Sequence, residues 1–364
     1  MGATFTHVTL AQRVRFGRGL VAEYLTEEVE RLGSRRVMVI SSGRQERAAP
    51  DLFDDIPVVL RWSDVRQHVP VDHAERARAA AREVGADLVV AIGGGSAVGL
   101  AKAVALTDGI CVVAVPTTYA GSESTDVWGL TEGGVKRTGT DPAVLPVAVV
   151  YDPALTDTMP ATLTVASGLN ALAHCVDALW APRADPVNGA LALEGARRLA
   201  TGLRAVVSGA ADDGRDEALL GAHLAAVAFA SAGSALHHRV CHVLGGTYDL
   251  PHAATHAVVL PHVLALNAPA LPGPSARLAD ALRMPGAAAA DAASAVSALE
   301  ALRAELGAST ALRDLGLAEA DLEDAVTRCL EVVPPSNPVP VTPAAMAALV
   351  RAAWAGTSPV LAEG

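Results

Sequence analysis

Histidines are the residues of this chain whose number and spacing most plainly indicate chemistry. Of the 11 histidines, six lie between positions 237 and 262. His238 and His242 are four residues apart, which places them on one face of a helix, and Asn170 and His174 have the same spacing. His252 follows beyond a Gly-Gly pair, so a helix, a turn and a returning segment would bring the three later histidines together. Imidazoles that converge with one oxygen ligand suit iron or zinc, and they also serve as general acids and bases.

The other histidines of this stretch receive a different interpretation. His237 and His256 are expected at the periphery of the site. His262 stands among apolar residues in VVLPHVL and is expected to be a hydrogen-bonded core residue. A single histidine on a helix is more often structural than functional, so only the spaced positions are interpreted as a shared site.

A glycine-rich turn is the second feature with a clear chemical use. Gly93-Gly94-Gly95-Ser96 stands between an apolar run and a helical pattern, without the spacing of GxGxxG or of a P-loop. Glycines let a phosphate approach the backbone, and a helix N-terminus offers free N–H groups. The next apolar run ends in PTTYAGSE, which contains Thr117, Thr118 and Ser122. If the two runs are adjacent parallel strands, both loops lie at the sheet edge where α/β folds bind cofactors, which predicts a dinucleotide site.

The elements that must position these residues show two kinds of sequence pattern, one in the first part of the chain and one in the second. Apolar runs at 35–43, 57–65, 87–96, 109–118 and 146–153 alternate with helical patterns at 73–85 and 97–107, which predicts a parallel sheet covered on both faces. Later in the chain, Ala- and Leu-rich helical patterns dominate, at 165–181, 186–209, 216–233, 294–308 and 343–356. We therefore expect an α/β domain over 1–158 and an all-helical domain over 159–364.

Composition excludes several classes of function. The net charge is −11 and aromatic residues are 3%, so neither a nucleic acid nor an anionic membrane surface is an expected partner. The four cysteines form no CxxC pair, which is typical of reduced cytosolic thiols. No signal peptide and no apolar run of about 18 residues is evident. We expect a soluble, cytoplasmic protein.

Four segments in order resemble one family. GGGS followed by Lys102, PTTYAGSE, GLNALAH and HHRVCHVLGGTYDLPH resemble the iron-containing (group III) alcohol dehydrogenases, and within them the maleylacetate reductase branch. The resemblance spans about Phe5 to Gly356. It implies a Rossmann-like N-terminal domain with a parallel sheet and an all-α C-terminal domain, the dehydroquinate synthase-like fold, assembled as a homodimer.

The resemblance also implies a nicotinamide cofactor, NADH or NADPH. Gly94, Gly95 and Ser96 would hold the pyrophosphate, and the cofactor would be lined by Ser41, Thr117, Thr118 and Ser122. An acidic residue after the second strand would repel the 2′-phosphate of NADPH. This sequence has Ser41, Ser42 and Arg44 there, so both cofactors stay open.

The metal-dependent members of the family use one aspartate and three histidines as ligands. The histidine positions match His174, His238 and His252, but Asn170 stands at the aspartate position, as in the maleylacetate reductase branch. An amide removes one negative charge and is a weaker ligand. The resemblance therefore implies no metal, or iron or zinc held only weakly at these four positions.

The implied activity is the reduction of the C=C bond of maleylacetate, and of chloromaleylacetate, to a 3-oxoadipate in the breakdown of aromatic compounds. Hydride addition to this enone dicarboxylate places negative charge on the ketone oxygen, which needs a proton donor. His238, His242 and His252 are the catalytic candidates, and Asn170, His174 and Arg239 are the substrate-binding candidates.

Three other functions are the alternatives, and the sequence supports them to different degrees. A metal-dependent alcohol dehydrogenase or aldehyde reductase of the same family is the main alternative, and Asn170 is the feature against it. A lyase of the dehydroquinate synthase kind would share the fold, but HHRVCHVLGG and PTTYAGSE disfavour it. A pure binding module has no support in this acidic, aromatic-poor composition.

Overall fold

The chain forms two compact units. The computed structural model describes residues 4–42, 50–133, 135–283 and 294–359. One unit runs from Leu10 to Met159, and the other comprises the residues from Pro160 onward together with the segment ending at Thr9. Within the second unit, the imidazole Nδ1 of His7 lies 2.9 Å from Oδ2 of Asp185. That contact ties the N-terminal segment to the helical residues, an arrangement that the sequence patterns did not predict.

A six-stranded parallel sheet forms the centre of the α/β unit. Its strands have the order β1-β8-β5-β4-β2-β3, and β2, β4 and β8 are buried along their full length. Such burial is what apolar runs without polar alternation predict for strands covered on both faces. The strands described in this unit are β1 (Arg13–Phe16), β2 (Val37–Ser41), β3 (Val58–Trp62), β4 (Leu88–Gly93), β5 (Cys111–Pro116), β6 (Val127–Glu132), β7 (Val135–Thr140) and β8 (Ala148–Tyr151).

Helices α1 (Val21–Leu32), α2 (Val71–Glu83) and α3 (Gly95–Asp108) complete the α/β unit. Helix α1 and strands β1, β6 and β7 were not predicted. Strand β1 has the sequence RVRF at one edge of the sheet, and β6 and β7 form an antiparallel hairpin. These strands are short or only partly buried, so their sequences lack the apolar runs that marked the central strands.

The second unit is helical, which confirms the predicted α/β-then-α fold class. Its most buried helices are those over Ala161–Ala178 and His252–Asn267, and this burial accounts for their apolar sequences. No single helix among the described residues is long and apolar enough to cross a membrane. The helices described are α4 (Ala161–Ala178), α5 (Pro186–Ser208), α6 (Ala211–Ala232), α7 (Leu236–Thr247), α8 (His252–Asn267), α9 (Pro272–Leu282), α10 (Ala295–Glu305), α11 (Leu322–Glu331) and α12 (Pro343–Ala355).

The chain reverses between α7 and α8, as the histidine spacing predicted. The helix does not stop at the Gly-Gly pair, however, but continues through it to Thr247. Asp249 then adopts a left-handed backbone with φ of 52°, and Pro251 precedes the first turn of α8. The reversal is therefore set by Asp249 and Pro251, and the glycines lie in the last turn of α7.

Candidate active site

The glycine-rich turn lies where two neighbouring strands end. Strands β4 and β5 pair in parallel, with Gly93 opposite Pro116. The backbone N–H of Thr117 donates to the carbonyl of Gly93 at 3.0 Å, which ties the two loops together. The predicted adjacency of these loops is confirmed.

The start of α3 has the features of an anion site. Gly94 is the N-terminal cap residue and provides no side chain to bond the first N–H groups of the helix. A Cβ built on Gly94 would lie 3.0 Å from Oγ1 of Thr118, so a glycine here lets the two loops pack closely. Gly94, Gly95 and Ser96 are half-buried and remain accessible. Helix N-termini with accessible N–H groups bind phosphates, so these residues fit a pyrophosphate.

A buried lysine organises the second loop. Nζ of Lys102, on α3, donates to the carbonyls of Ser122 at 2.6 Å, Thr125 at 2.7 Å and Val127 at 2.9 Å. Burial lowers the pKa of Lys102 from 10.5 to about 7. Lys102 is thus more than part of a sequence motif, because its ammonium group supports the backbone around Ser122.

The remaining predicted cofactor residues differ in exposure. Ser41 is the last residue of β2 and is buried, while Ser42 is exposed. Thr117 is buried as well, and Thr118 and Ser122 are half-buried. Arg44 lies outside the described residues.

The spaced histidines come from three helices and lie together. The rings of His174 on α4 and His238 on α7 are stacked with centroids 4.8 Å apart, and Phe229 of α6 contacts both rings. The rings of His242 and His252 are stacked at 6.0 Å, and His242 is 6.3 Å from His238. We call these four histidines, together with His237 and His256, the histidine cluster.

The cluster has a buried part and an exposed part. Asn170, His174 and His238 are buried, whereas His242 and His252 are exposed. Oδ1 of Asn170, Nδ1 of His174 and Nε2 of His238 are buried atoms with no hydrogen-bond partner among the residues that the structure describes. Buried polar atoms without protein partners are where a ligand, an ion or water is expected.

The interpretation of His237 and His256 as peripheral is wrong. Both are fully buried, and the ring of His256 lies 4.9 Å from His237, 4.7 Å from His238 and 4.5 Å from His252. Nδ1 of His256 and Nε2 of His237 form a hydrogen bond of 3.0 Å. The signal was present in the sequence, because His252 and His256 have the same four-residue spacing as the other pairs.

Burial keeps the inner histidines neutral. Burial and, to a smaller extent, neighbouring histidines lower the pKa of His174 and of His237 to about 3. The pKa values of His238 and His256 are well below 6.5 for the same two reasons. At neutral pH these rings carry one proton each and no charge.

Asp177 is the site residue that sequence reasoning missed. It is fully buried on α4, and its Oδ2 lies 2.8 Å from Nδ1 of His238. The backbone N–H groups of Ala235 and His238 donate to the same oxygen at 3.2 Å. Burial raises the pKa of Asp177 from 3.8 to about 7. A carboxyl group three residues after His174 in an otherwise apolar helix was the available signal.

The residues at the matched ligand positions fit a divalent ion only weakly. The unpartnered atoms of Asn170 and His238 are of a type that iron or zinc accepts, but an amide and imidazoles supply no negative charge. A deeper trio of His237, Cys241 and His256 also has donor atoms within 4.8 Å of one another. There, burial raises the pKa of the Cys241 thiol well above 9, which opposes the thiolate that zinc requires.

Comparison with known proteins agrees with this geometry. Residues 11–153 match the family described as iron-containing alcohol dehydrogenase, and residues 164–354 match the C-terminal part of the Fe-containing alcohol dehydrogenase family. A maleylacetate reductase of Pseudomonas sp. (strain P51) is 42% identical over 98% of this chain and 99% of its own length.

Solved structures are similar over the same range. An iron-containing alcohol dehydrogenase of Corynebacterium glutamicum is 49% identical, with a TM-score of 0.91 over 97% of this chain and 98% of its own. A maleylacetate reductase of Agrobacterium tumefaciens is 37% identical, with a TM-score of 0.90 over 98% of this chain and 100% of its own. The chain belongs to the iron-containing alcohol dehydrogenase family.

Proposed function

We propose that the chain is an NAD(P)H-dependent reductase that converts maleylacetate, and its chlorinated analogue, to a 3-oxoadipate. The observation that carries the proposal is the similarity along almost the whole chain to relatives named maleylacetate reductase. The histidine cluster supports it in two ways. The exposed rings of His242 and His252 can transfer a proton, and the residues at the matched ligand positions carry no negative charge that would hold a metal ion firmly.

The family is NAD(P)-dependent, and the bound cofactor would supply a hydride to the alkene carbon β to the ketone. This chain's residues must then stabilise the charge that develops on the ketone oxygen and deliver a proton to the α carbon. His242 and His252 are exposed and are the proposed donors. His238 stays in the site as a buried neutral ring, since its pKa is well below 6.5.

Substrate binding is assigned to residues next to these donors. The amide of Asn170 can donate to an oxygen of the enone through Nδ2, since its Oδ1 can only accept, and the neutral ring of His174 can donate through its N–H. Arg239 follows His238 directly and is exposed, so its guanidinium is available for one of the two substrate carboxylates.

We assign the cofactor to the end of β2 and to the loops after β4 and β5. Gly94, Gly95 and Ser96 would bind the pyrophosphate, with Ser41, Thr117, Thr118 and Ser122 around the rest of the dinucleotide. Strand β2 ends at Ser41 and is followed by Ser42, so neither position carries an acidic residue. Use of both NADH and NADPH is therefore proposed.

A metal-dependent alcohol or aldehyde reductase is the second candidate. The unpartnered atoms of Asn170, His174 and His238 favour it, because they are buried oxygen and nitrogen atoms of the type that bind a divalent metal ion. The missing carboxylate opposes it, because three imidazoles and an amide leave the charge of a divalent ion uncompensated.

The deciding experiment measures oxidation of NADH and of NADPH by protein purified without added metal. Maleylacetate and a simple aldehyde are offered separately, each with and without a chelator. We expect turnover of maleylacetate that the chelator leaves unchanged. Turnover of the aldehyde alone, dependent on added iron or zinc, would replace the proposal with the second candidate.

We also propose a homodimer in the cytoplasm. The four cysteines are free, which a reducing compartment maintains. Sedimentation of the purified protein tests the dimer, and a single species with the mass of one chain would refute it.

A further inference from the structure

The carboxyl group of Asp177 has its contacts on one oxygen. Oδ2 accepts the backbone N–H groups of Ala235 and His238 and lies 2.8 Å from Nδ1 of His238. Oδ1 is buried without a partner among the described residues. Because Oδ2 already accepts two backbone N–H groups, it is an oxygen without a proton, and any proton on the carboxyl group belongs to Oδ1. Oδ2 is therefore the acceptor in its contact with Nδ1 of His238 as well.

The direction of these hydrogen bonds determines where His238 carries its proton. An acceptor at 2.8 Å requires that Nδ1 of His238 be the protonated nitrogen. In a neutral imidazole, Nε2 then carries a lone pair. That Nε2 is buried and has no partner in the part of the chain that the structure describes. A buried acceptor without a protein partner indicates a ligand donor or a cation at that point.

We propose that Asp177 is a positioning residue that holds His238 in the Nδ1–H tautomer, so that His238 accepts a hydrogen bond or binds a cation through Nε2. His238 therefore cannot be the neutral group that protonates the substrate. The proposal rests on the proposed function for its catalytic consequence, which is that protonation belongs to His242 or His252. The tautomer itself does not depend on the substrate.

Two substitutions separate the hydrogen-bond role of Asp177 from a role in packing. Asp177→Asn keeps an acceptor, because the two backbone N–H groups orient the amide oxygen toward themselves and toward His238. Asp177→Leu has the same number and branching of side-chain heavy atoms and removes the acceptor. Asp177→Asn is therefore the control that keeps the hydrogen bond to His238, and Asp177→Leu is the variant that loses it.

The readout is the ring ¹⁵N spectrum of histidine-labelled protein at neutral pH without substrate, with the His238 signals assigned by their loss in His238→Asn. We expect the Nδ1–H tautomer in the wild type and in Asp177→Asn, and a shift to the Nε2–H tautomer in Asp177→Leu. An Nε2–H tautomer in the wild type, or an unchanged tautomer in Asp177→Leu, would overturn the proposal. If Asp177→Leu does not fold, the wild-type spectrum alone decides.

Kinetics with maleylacetate give an independent readout. Loss of an orienting partner typically costs about 10- to 100-fold in activity. We expect that loss in kcat for Asp177→Leu and a much smaller one for Asp177→Asn. A wild type that shows the Nδ1–H tautomer but does not reduce maleylacetate would refute the proposed function and leave the role of Asp177 intact.

Discussion

Burial divides the histidine cluster into groups with different chemistry. The rings of His174, His237, His238 and His256 are buried, and protonating any of them would place a charge in a poorly solvated site next to other imidazoles. Only the exposed rings of His242 and His252 are in contact with water. We therefore propose that the exposed part of the cluster delivers the proton near neutral pH.

The first prediction concerns those two exposed rings. His242→Ala and His252→Ala are each expected to lower kcat for maleylacetate by about 10²- to 10⁴-fold, the usual range for a general acid. Binding of NADH, measured by titration calorimetry, should stay unchanged because the proposed cofactor residues lie elsewhere in the chain. His7→Ala, at a half-buried histidine bonded to Asp185, is the control. Full activity in both variants would remove these histidines from the mechanism.

Asn170 provides a test of the ligand set. Asn170→Asp adds a negative charge one helical turn before His174, and a carboxylate is a stronger ligand than an amide. We expect at least a tenfold gain in affinity for Zn²⁺, measured by calorimetry and by metal analysis after dialysis. Asn188→Asp, at a buried asparagine outside the cluster, is the control. An unchanged affinity would show that the matched ligand positions, Asn170, His174, His238 and His252, do not form a metal site.

At the scale of elements, the helices that support the cluster depend on close backbone contact. Helices α5 and α6 pack through facing glycines. A Cβ built on Gly202 would lie 2.5 Å from the carbonyl oxygen of Gly214 and from the backbone nitrogen of Ala218. Backbone atoms cannot give way as side chains do, so an added methyl group must push the helices apart.

A pair of glycine substitutions in α5 tests this contact. Gly202→Ala is expected to destabilise the helical unit by about 1–3 kcal/mol, which corresponds to a loss of roughly 2–12 °C in Tm. Gly189→Ala is the control in the same helix, since a Cβ there meets nothing within 4 Å and alanine favours helix. The two variants are compared by thermal unfolding followed by circular dichroism. Equal Tm values for both would contradict the packing argument.

At the scale of the whole molecule, buried histidines make stability depend on pH. Burial lowers the pKa of His223 and of His262 to about 4, and of His174 and His237 to about 3. Between these values and the unfolded value of about 6.5, the unfolded chain binds more protons, so stability falls as the pH falls. Asp177 acts in the opposite direction, because its pKa is raised to about 7 and the folded state holds its proton. The histidines outnumber it, and we expect a net loss of stability on acidification.

His262 allows this dependence to be measured outside the histidine cluster. It is buried on α8, and burial is the first cause of its lowered pKa, with Arg303 as the second. His262→Leu removes one titrating group and should reduce the slope of stability against pH by about 1.4 kcal/mol per pH unit between pH 4 and 6. Comparison at pH 8, above the titration, corrects for the change in packing. Parallel pH profiles for the variant and the wild type would contradict the prediction.

The sequence by itself determined the elements and much of the site. Apolar runs marked the central strands, and the loops after β4 and β5 met as predicted because carboxyl ends of adjacent parallel strands share one edge. Four-residue spacing placed His238 and His242 on one helix face, and the structure brought them to His174 and His252. The spacing of residues along a strand or helix indicates which of them share a face. For the spaced histidines, that information was sufficient to predict that they lie together.

Only the tertiary structure decided which groups touch across elements. The hydrogen bond from His238 to Asp177 joins α7 to α4, and His256 on α8 contacts histidines of α7. These contacts depend on how the helices pack, which spacing along one helix does not encode. The same packing determines burial, and burial determines which histidines stay neutral and which are exposed to water. The sequence thus supplied the histidines, and the packing of α4, α7 and α8 keeps four of them, His174, His237, His238 and His256, buried and neutral.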